Sequence, residues 1–257
     1  MSTVATIIRK VVPKRFRPIG YLEHLVETRT GGRVKAGPFA GLRYIRGAVG
    51  SAYVPKLLGT YERELNDCLE EACGFGFSCI IDIGAAEGYY AVGLARRNPD
   101  ARVIAFEMDP KGRKALEEMA TLNEVGQQIA VRAKCGPGDL QAALPSGGKA
   151  LVVCDVEGDE DVLLDPDQVP KLRRAHILVE MHDFIQRGIT ENMIERFAAT
   201  HQVKRIWQQP RSRAEMPWRT VGTALLPGRY LDWAVSEWRP VQMSWLWMKP
   251  FPFQSER

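Results

Sequence analysis

The chain has 257 residues, enough for one α/β domain with a substantial core or for such a domain with an appendage. Its apolar fraction of 45% and charged fraction of 26% are those of an ordinary soluble protein and exclude a disordered or fibrous one. A formal charge of +4 argues only weakly for an anionic partner, and no run approaches the ~20 apolar residues that span a bilayer.

Basic residues gather at the start, as Arg9, Lys10, Lys14, Arg15 and Arg17. Such an arm can touch nucleic acid or anionic lipid, although a solvated terminus is the commoner use. Val4–Ile8 is too short for a signal-peptide core, and no small-residue cleavage site follows. The five cysteines, Cys68, Cys73, Cys79, Cys135 and Cys154, form no C-x-x-C pair and read as small core residues. The expectation is a protein of the reducing cytoplasm, neither exported nor carrying a transmembrane segment.

Residues 1 to about 30 read as a basic appendage with helical pattern broken by Pro13 and Pro18. Glycines and prolines from Gly31 to Gly50 mark turns between strand-like pieces such as Leu42–Ile45. A domain boundary is expected at 54/55. Glu62–Ala72 reads as a helix, with Leu65, Cys68, Leu69 and Ala72 at i, i+3, i+4, i+7. Cys79–Ile83 is a short apolar run ending in a glycine-rich turn, as in a buried parallel strand.

Tyr89–Arg97 is helical and stops at Asn98-Pro99, because the residue before proline avoids helical angles. Val103–Phe106 is the second strand. Asp109 can cap the next helix, with Pro110 at its first position and Leu116, Met119, Ala120 and Leu122 on the inner face. Further strands are expected at Ile129–Val131, Leu151–Cys154 and Ile177–Val179, and a helix at Glu191–Ala199. This alternation predicts a Rossmann-like doubly wound α/β sheet, mostly parallel. From Val203 to Trp247 the rhythm is lost, and the tryptophans at 207, 218, 233, 238, 245 and 247 suggest an antiparallel closing region with most of them filling the core.

In such a sheet ligands bind beyond the carboxyl ends of the strands, where the strand order reverses. The first such end reads Asp82-Ile83-Gly84-Ala85-Ala86-Glu87-Gly88-Tyr89-Tyr90. A dinucleotide loop wants G-x-G-x-x-G, but counting from Gly84 the later glycine positions hold Ala86 and Tyr89. Glu87 in the turn would repel a pyrophosphate and tolerate a cationic nucleoside. Glu107 closes the second strand 19 residues after Gly88, where a carboxylate can hold both ribose hydroxyls of a nucleoside.

These segments, with Ala105-Phe106-Glu107 and Asp155-Val156-Glu157-Gly158-Asp159-Glu160, resemble the FkbM-type family of class I S-adenosylmethionine-dependent methyltransferases. Leu58-Gly59-Thr60-Tyr61-Glu62 is similar to the family's lead-in segment, and Ile177-Leu178-Val179-Glu180-Met181-His182 to its fifth strand. The resemblance covers about residues 55 to 185. It implies a methyltransferase domain over 55–257, with Gly84, Ala85 and Gly88 lining the cofactor and Glu107 on its ribose. It further implies Asp82 beneath the loop, and Asp155 facing the methyl group or the amino-acid tail. The family usually has Asn and an apolar residue where this chain has Ala86 and Glu87, which leaves the fine contacts of the loop open. Asp139 can reach an adenine amino group or cap its own helix. Tyr61, Glu62 and Tyr90 can close over the cofactor or simply pack.

Methyl transfer to a hydroxyl needs alignment and removal of a proton. The candidates are Asp155, Glu180 and His182, with Glu157 and Asp183 nearby; His182 titrates near neutrality and can otherwise bond backbone. The same groups offer oxygen and imidazole donors to a divalent metal, but sequence spacing fixes no such geometry and the expectation is no essential metal. The leading expectation is O-methylation of a small-molecule or glycan hydroxyl, the oxygen acceptor coming from the resemblance. The alternatives are an RNA methyltransferase, prompted by the basic arm, a catalytically silent cofactor-binding interaction subunit, and an NAD-dependent oxidoreductase.

Overall fold

A computed structural model describes residues 17–46 and 52–252, so the basic residues at 9, 10, 14 and 15 and the Val4–Ile8 stretch lie outside the described residues. The chain divides into two compact units, one of residues up to Arg63 with Gln209–Arg239, the other Glu64–Gln208 with the chain from Pro240 onward.

The larger unit is built on seven strands: β1 (Cys79–Ile83), β2 (Arg102–Phe106), β3 (Ile129–Arg132), β4 (Ala150–Cys154), β5 (His176–Met181), β6 (His201–Trp207) and β7 (Ser244–Pro250). Their order is β3-β2-β1-β4-β5-β7-β6. The pairs from β3 to β5 are all parallel, and β7 runs antiparallel to both β5 and β6. This is the expected mostly parallel doubly wound sheet, with its antiparallel strand inserted one place in from the edge. The order reverses between β1 and β4, which opens a crevice at their carboxyl ends.

The central strands are apolar because both faces are covered: every residue of β1 and β4 is buried. The helix Tyr89–Arg97 starts and stops where the sequence predicts, and the Asn98 side chain donates to the Leu94 carbonyl at 2.9 Å. Asp109 caps the helix Pro110–Leu122 by accepting from the Lys111 amide at 3.0 Å. Leu116, Met119 and Ala120 of that helix are buried, whereas Leu122 stands 37% exposed at its frayed end. The Glu62–Ala72 pattern resolves into a 3₁₀ turn, Arg63–Leu65, and a helix, Asn66–Cys73, that bury the four expected residues. Four cysteines are buried, Cys73 is half-buried, and all five thiols are free.

The smaller unit departs more from expectation. Pro18 begins the helix Pro18–Thr30 instead of breaking it, since a proline at the first turn gives up no hydrogen bond. Leu42–Ile45 forms no strand; only an isolated bridge joins Arg33 to Arg43. This unit runs to Arg63 and takes in the returning segment 209–239. Its helix Gly228–Val235 packs on the helices Pro18–Thr30 and Tyr53–Leu58, and Tyr21 meets Thr220 at 3.3 Å. Inside this unit Glu237 accepts from Arg211 Nε at 2.7 Å and from the Glu62 amide at 3.0 Å. Burial and the neighbouring Glu62 raise the Glu237 carboxyl above its ordinary value, against the pull of Arg211.

Only Trp245 and Trp247 fill the core of the larger unit, both on β7. Trp207, Trp233 and Trp238 are exposed by 41% or more, and Trp218 is intermediate. Trp247 lies near His176, whose ring also meets Phe75 at 4.8 Å and Phe77 at 5.2 Å. Burial, then the charges of His201 and Lys149, push the His176 imidazole down to about 4 against the opposing pull of Glu71, with Lys249 adding to the fall. His201 is also lowered by burial, while its Nε2 lies 2.9 Å from the Ala175 carbonyl.

The His176 ring is therefore neutral in the fold at pH 6, where an unfolded histidine (pKa about 6.5) is already largely protonated. Stability is complete above pH 6.5 and is lost as the unfolded chain takes up protons between about pH 6.5 and 4. Urea midpoints at pH 7 and pH 5 test this: the midpoint falls at pH 5, and His176→Phe reduces the fall. Equal falls in the two proteins would remove His176 from the account.

Candidate functional site

The turn after β1 is forced by its neighbours. Gly84 sits at φ +83°, and a Cβ there would lie 1.7 Å from the Asp155 carbonyl oxygen. Only glycine permits that conformation and that approach. The Asp155 amide in turn donates to the Ile83 carbonyl at 2.9 Å, so the ends of β1 and β4 are locked together. Gly88, at φ +91°, leads the next helix, and a Cβ there would meet the Leu116 side chain at 2.9 Å. Ala86 holds φ +46° without being glycine.

Glu107 ties this turn to the end of β2. Its Oε2 accepts from the Ala86 amide at 2.7 Å and its Oε1 from the Asp109 amide at 2.7 Å. Each carboxylate oxygen has room for a second donor, so the group can still hold a pair of hydroxyls. Asp82, Ala85 and Glu87 are buried and Tyr90 is half-buried, its ring edge-on to Tyr89 at 5.4 Å. Glu87, read from sequence as a charge facing the ligand, is wholly enclosed.

Beside this turn, the ends of β4 and β5 bring Asp155, Glu180 and His182 together. One donor atom from each lies within 4.8 Å of the others. His182 is 4% exposed and Glu180 2%, and the Asp155 side chain reaches solvent. His182 Nδ1 is bonded to Glu160, a wholly buried carboxylate from the short helix Glu160–Leu163. Its Nε2 lies 3.6 Å from Asp155 Oδ1. Burial pushes the imidazole down, but the bond to Glu160 and the charges of Glu160, Asp155 and Glu157 prevail and raise it above the ordinary value. Phe184 meets the His182 ring edge-on at 5.8 Å, and Phe184 and Ile185 are each 50% exposed, an apolar lip beside the cluster.

Glu160 escaped the sequence reading. Its partner is 22 residues away, and it stands in an acidic run, Asp159-Glu160-Asp161, that looks like a solvated helix start. Its signal was its place within the Asp155–Glu160 motif.

Other candidates have local duties. Asp139 Oδ2 accepts from the Gly136 amide at 3.0 Å, which is the helix-capping role. Asp183 accepts from the Thr190 amide and pairs with Arg205, both at 3.3 Å, fixing the start of the helix Ile189–Phe197. Glu157 is exposed at φ +50°. Tyr61 and Glu62 belong to the smaller unit, where the Tyr61 ring lies 4.8 Å from Lys56 Nζ and Glu62 pairs with Arg239.

No protein-family model matches the chain, and no curated protein matches it in sequence. Among solved structures it is similar to a precorrin-6y C5,15-methyltransferase from Geobacter metallireducens, with TM-score 0.50 and 12% identity over 79% of this chain and 92% of that one. It is also similar to a precorrin 8w decarboxylase from Methanobacterium thermoautotrophicum, with TM-score 0.50 and 16% identity over 79% and 95%. The O-methyltransferase TomG from Streptomyces achromogenes, solved with SAM, superposes more weakly, with TM-score 0.44 and 14% identity over 96% of each chain. The first two likenesses show a shared Rossmann-like α/β fold.

Proposed function

We propose that the larger unit is an S-adenosylmethionine-dependent methyltransferase domain of the FkbM type, acting on a hydroxyl of a small molecule or glycan. The observation that carries this reading is the closure of Gly84 on the Asp155 carbonyl with Glu107 tethered to the Ala86 amide. The turn is thereby shaped at the point where the strand order reverses, with a carboxylate beside it that could receive a ribose. The methyltransferases among the similar folds support the same activity.

In this reading Gly84, Ala85 and Gly88 give the cofactor close access to backbone, and Glu107 receives the ribose hydroxyls. Asp82 supports the turn, Asp155 faces the reacting end and Tyr90 borders the site. Asp139 serves its own helix, and Tyr61 and Glu62 their own unit. S-adenosylmethionine, when bound, supplies an electrophilic methyl group on a sulfonium. The chain's part is to align the acceptor oxygen and draw off its proton at the Asp155–Glu180–His182 cluster, the catalytic set. The Phe184–Ile185 lip favours an acceptor with an apolar face, and soluble operation in the cytoplasm remains part of the proposal.

Calorimetry with S-adenosylmethionine, its demethylated product and NADH tests the cofactor. Binding of the first two and not the third is expected; the reverse would restore the oxidoreductase reading. Turnover with a panel of hydroxylated acceptors tests the reaction. Tight binding of the cofactor with no turnover on any acceptor or RNA would favour the silent interaction subunit.

A further inference from the structure

We propose that Asp155, Glu180 and His182 form a divalent-cation site, with Glu160 as the positioning residue that aims the imidazole. The sequence could not show this, because the three donors come from two strand ends 25 to 27 positions apart. The fold brings one ligand atom of each to within 4.8 Å of the others.

Three features favour a cation over a set of direct hydrogen bonds. First, His182 Nε2 and Asp155 Oδ1 are 3.6 Å apart, longer than a hydrogen bond of about 2.7–3.2 Å. Two ligands on one ion with bonds of about 2.1 Å stand roughly 3.0–4.2 Å apart. Second, Nδ1 is bonded to the buried carboxylate of Glu160, which favours a proton on Nδ1 and leaves Nε2 as the nitrogen that a cation could take. A carboxylate behind a metal-binding imidazole is the usual way that ring is oriented and made more basic. Third, Glu160 Oε2 is buried with no hydrogen-bond partner among the described residues. Enclosed carboxylates grouped on one imidazole favour an added positive charge.

Two carboxylate oxygens with one imidazole nitrogen suit Mn²⁺, Zn²⁺ or Mg²⁺. Asp155 reaches solvent, so the ion would keep open positions on that side. With an ion bound, the cluster would promote proton loss by making an acceptor hydroxyl more acidic, the proton passing to water in place of a direct transfer to these side chains. That last role rests on the methyltransferase reading; the binding of the ion does not.

The test uses the full chain and Mn²⁺ alone, followed by the loss of its free-ion paramagnetic resonance signal, without cofactor or acceptor. About one ion per chain is expected, displaced by Zn²⁺. Asp155→Asn and His182→Gln should each weaken binding at least about tenfold, and Glu160→Gln roughly 10–100-fold. Asp167→Asn, an exposed acid paired with Arg173, should change nothing. Melting curves identify folded variants, and the partly exposed Asp155 supplies one that does not open the core.

No binding at millimolar Mn²⁺, or equal binding by wild type and Asp155→Asn, overturns the proposal. Binding of the demethylated cofactor without Mn²⁺ binding would overturn the cation site alone. Mn²⁺ binding without the cofactor would overturn the methyltransferase reading alone.

Discussion

Gly84→Ala is expected to abolish cofactor binding and to lower stability by about 2–4 kcal/mol. The added methyl would sit 1.7 Å from the Asp155 carbonyl oxygen and 2.8 Å from its carbon. Both are backbone atoms at a strand end held by the Asp155–Ile83 hydrogen bond, so no side-chain rotation relieves the overlap. Alanine would also be strained at φ +83°. The turn must therefore move away from β4, and the crevice changes shape. Calorimetry with the demethylated cofactor should show at least a roughly hundredfold loss, since a displacement of about 1 Å can cost that much. An unchanged affinity with an unchanged melting temperature would mean that this turn is not the binding site.

Glu107→Ala should weaken the cofactor by roughly a hundredfold while leaving the sheet folded. A hydrogen bond to a charged group contributes about 1.5–3 kcal/mol, and Glu107 makes one with each carboxylate oxygen at 2.7 Å. Without it the turn after β1 and the turn after β2 lose their common tether, and the ribose loses its acceptor. Glu107→Gln is the informative partner. One amide oxygen can satisfy only one of the two amides, and the NH₂ group then faces a second donor. It should therefore fall between wild type and alanine in affinity. Equal affinity in all three proteins would place the ribose elsewhere.

The parallel half of the fold was legible because its signals are local. β1 is a short apolar run bounded by turn residues, and the capping aspartate of Pro110–Leu122 precedes a proline. Gly84, Glu107 and Asp155 were readable as strand-end residues because each directly follows a short apolar run, β1, β2 or β4. What was not legible depends on distant partners. The return of 209–239 to the first 63 residues is set by packing between segments far apart, and no periodicity announces it. The tryptophans misled for the same reason: β7 buries two, while those on Gly228–Val235 and after it face solvent. Ala86 shows the reverse, since its φ of +46° explains why the loop would more comfortably carry Asn or Gly there.

The place of β7 has a consequence for synthesis. Emerging last of the seven strands, it must enter between two made earlier, and among the described residues it is the sheet partner of β6. Until residues 244–250 have left the ribosome, β5 presents a bare hydrogen-bonding edge and β6 lacks its β7 partner. The nascent protein is thus most open to capture by chaperones, or to sticking to its siblings, until its final strand slides home.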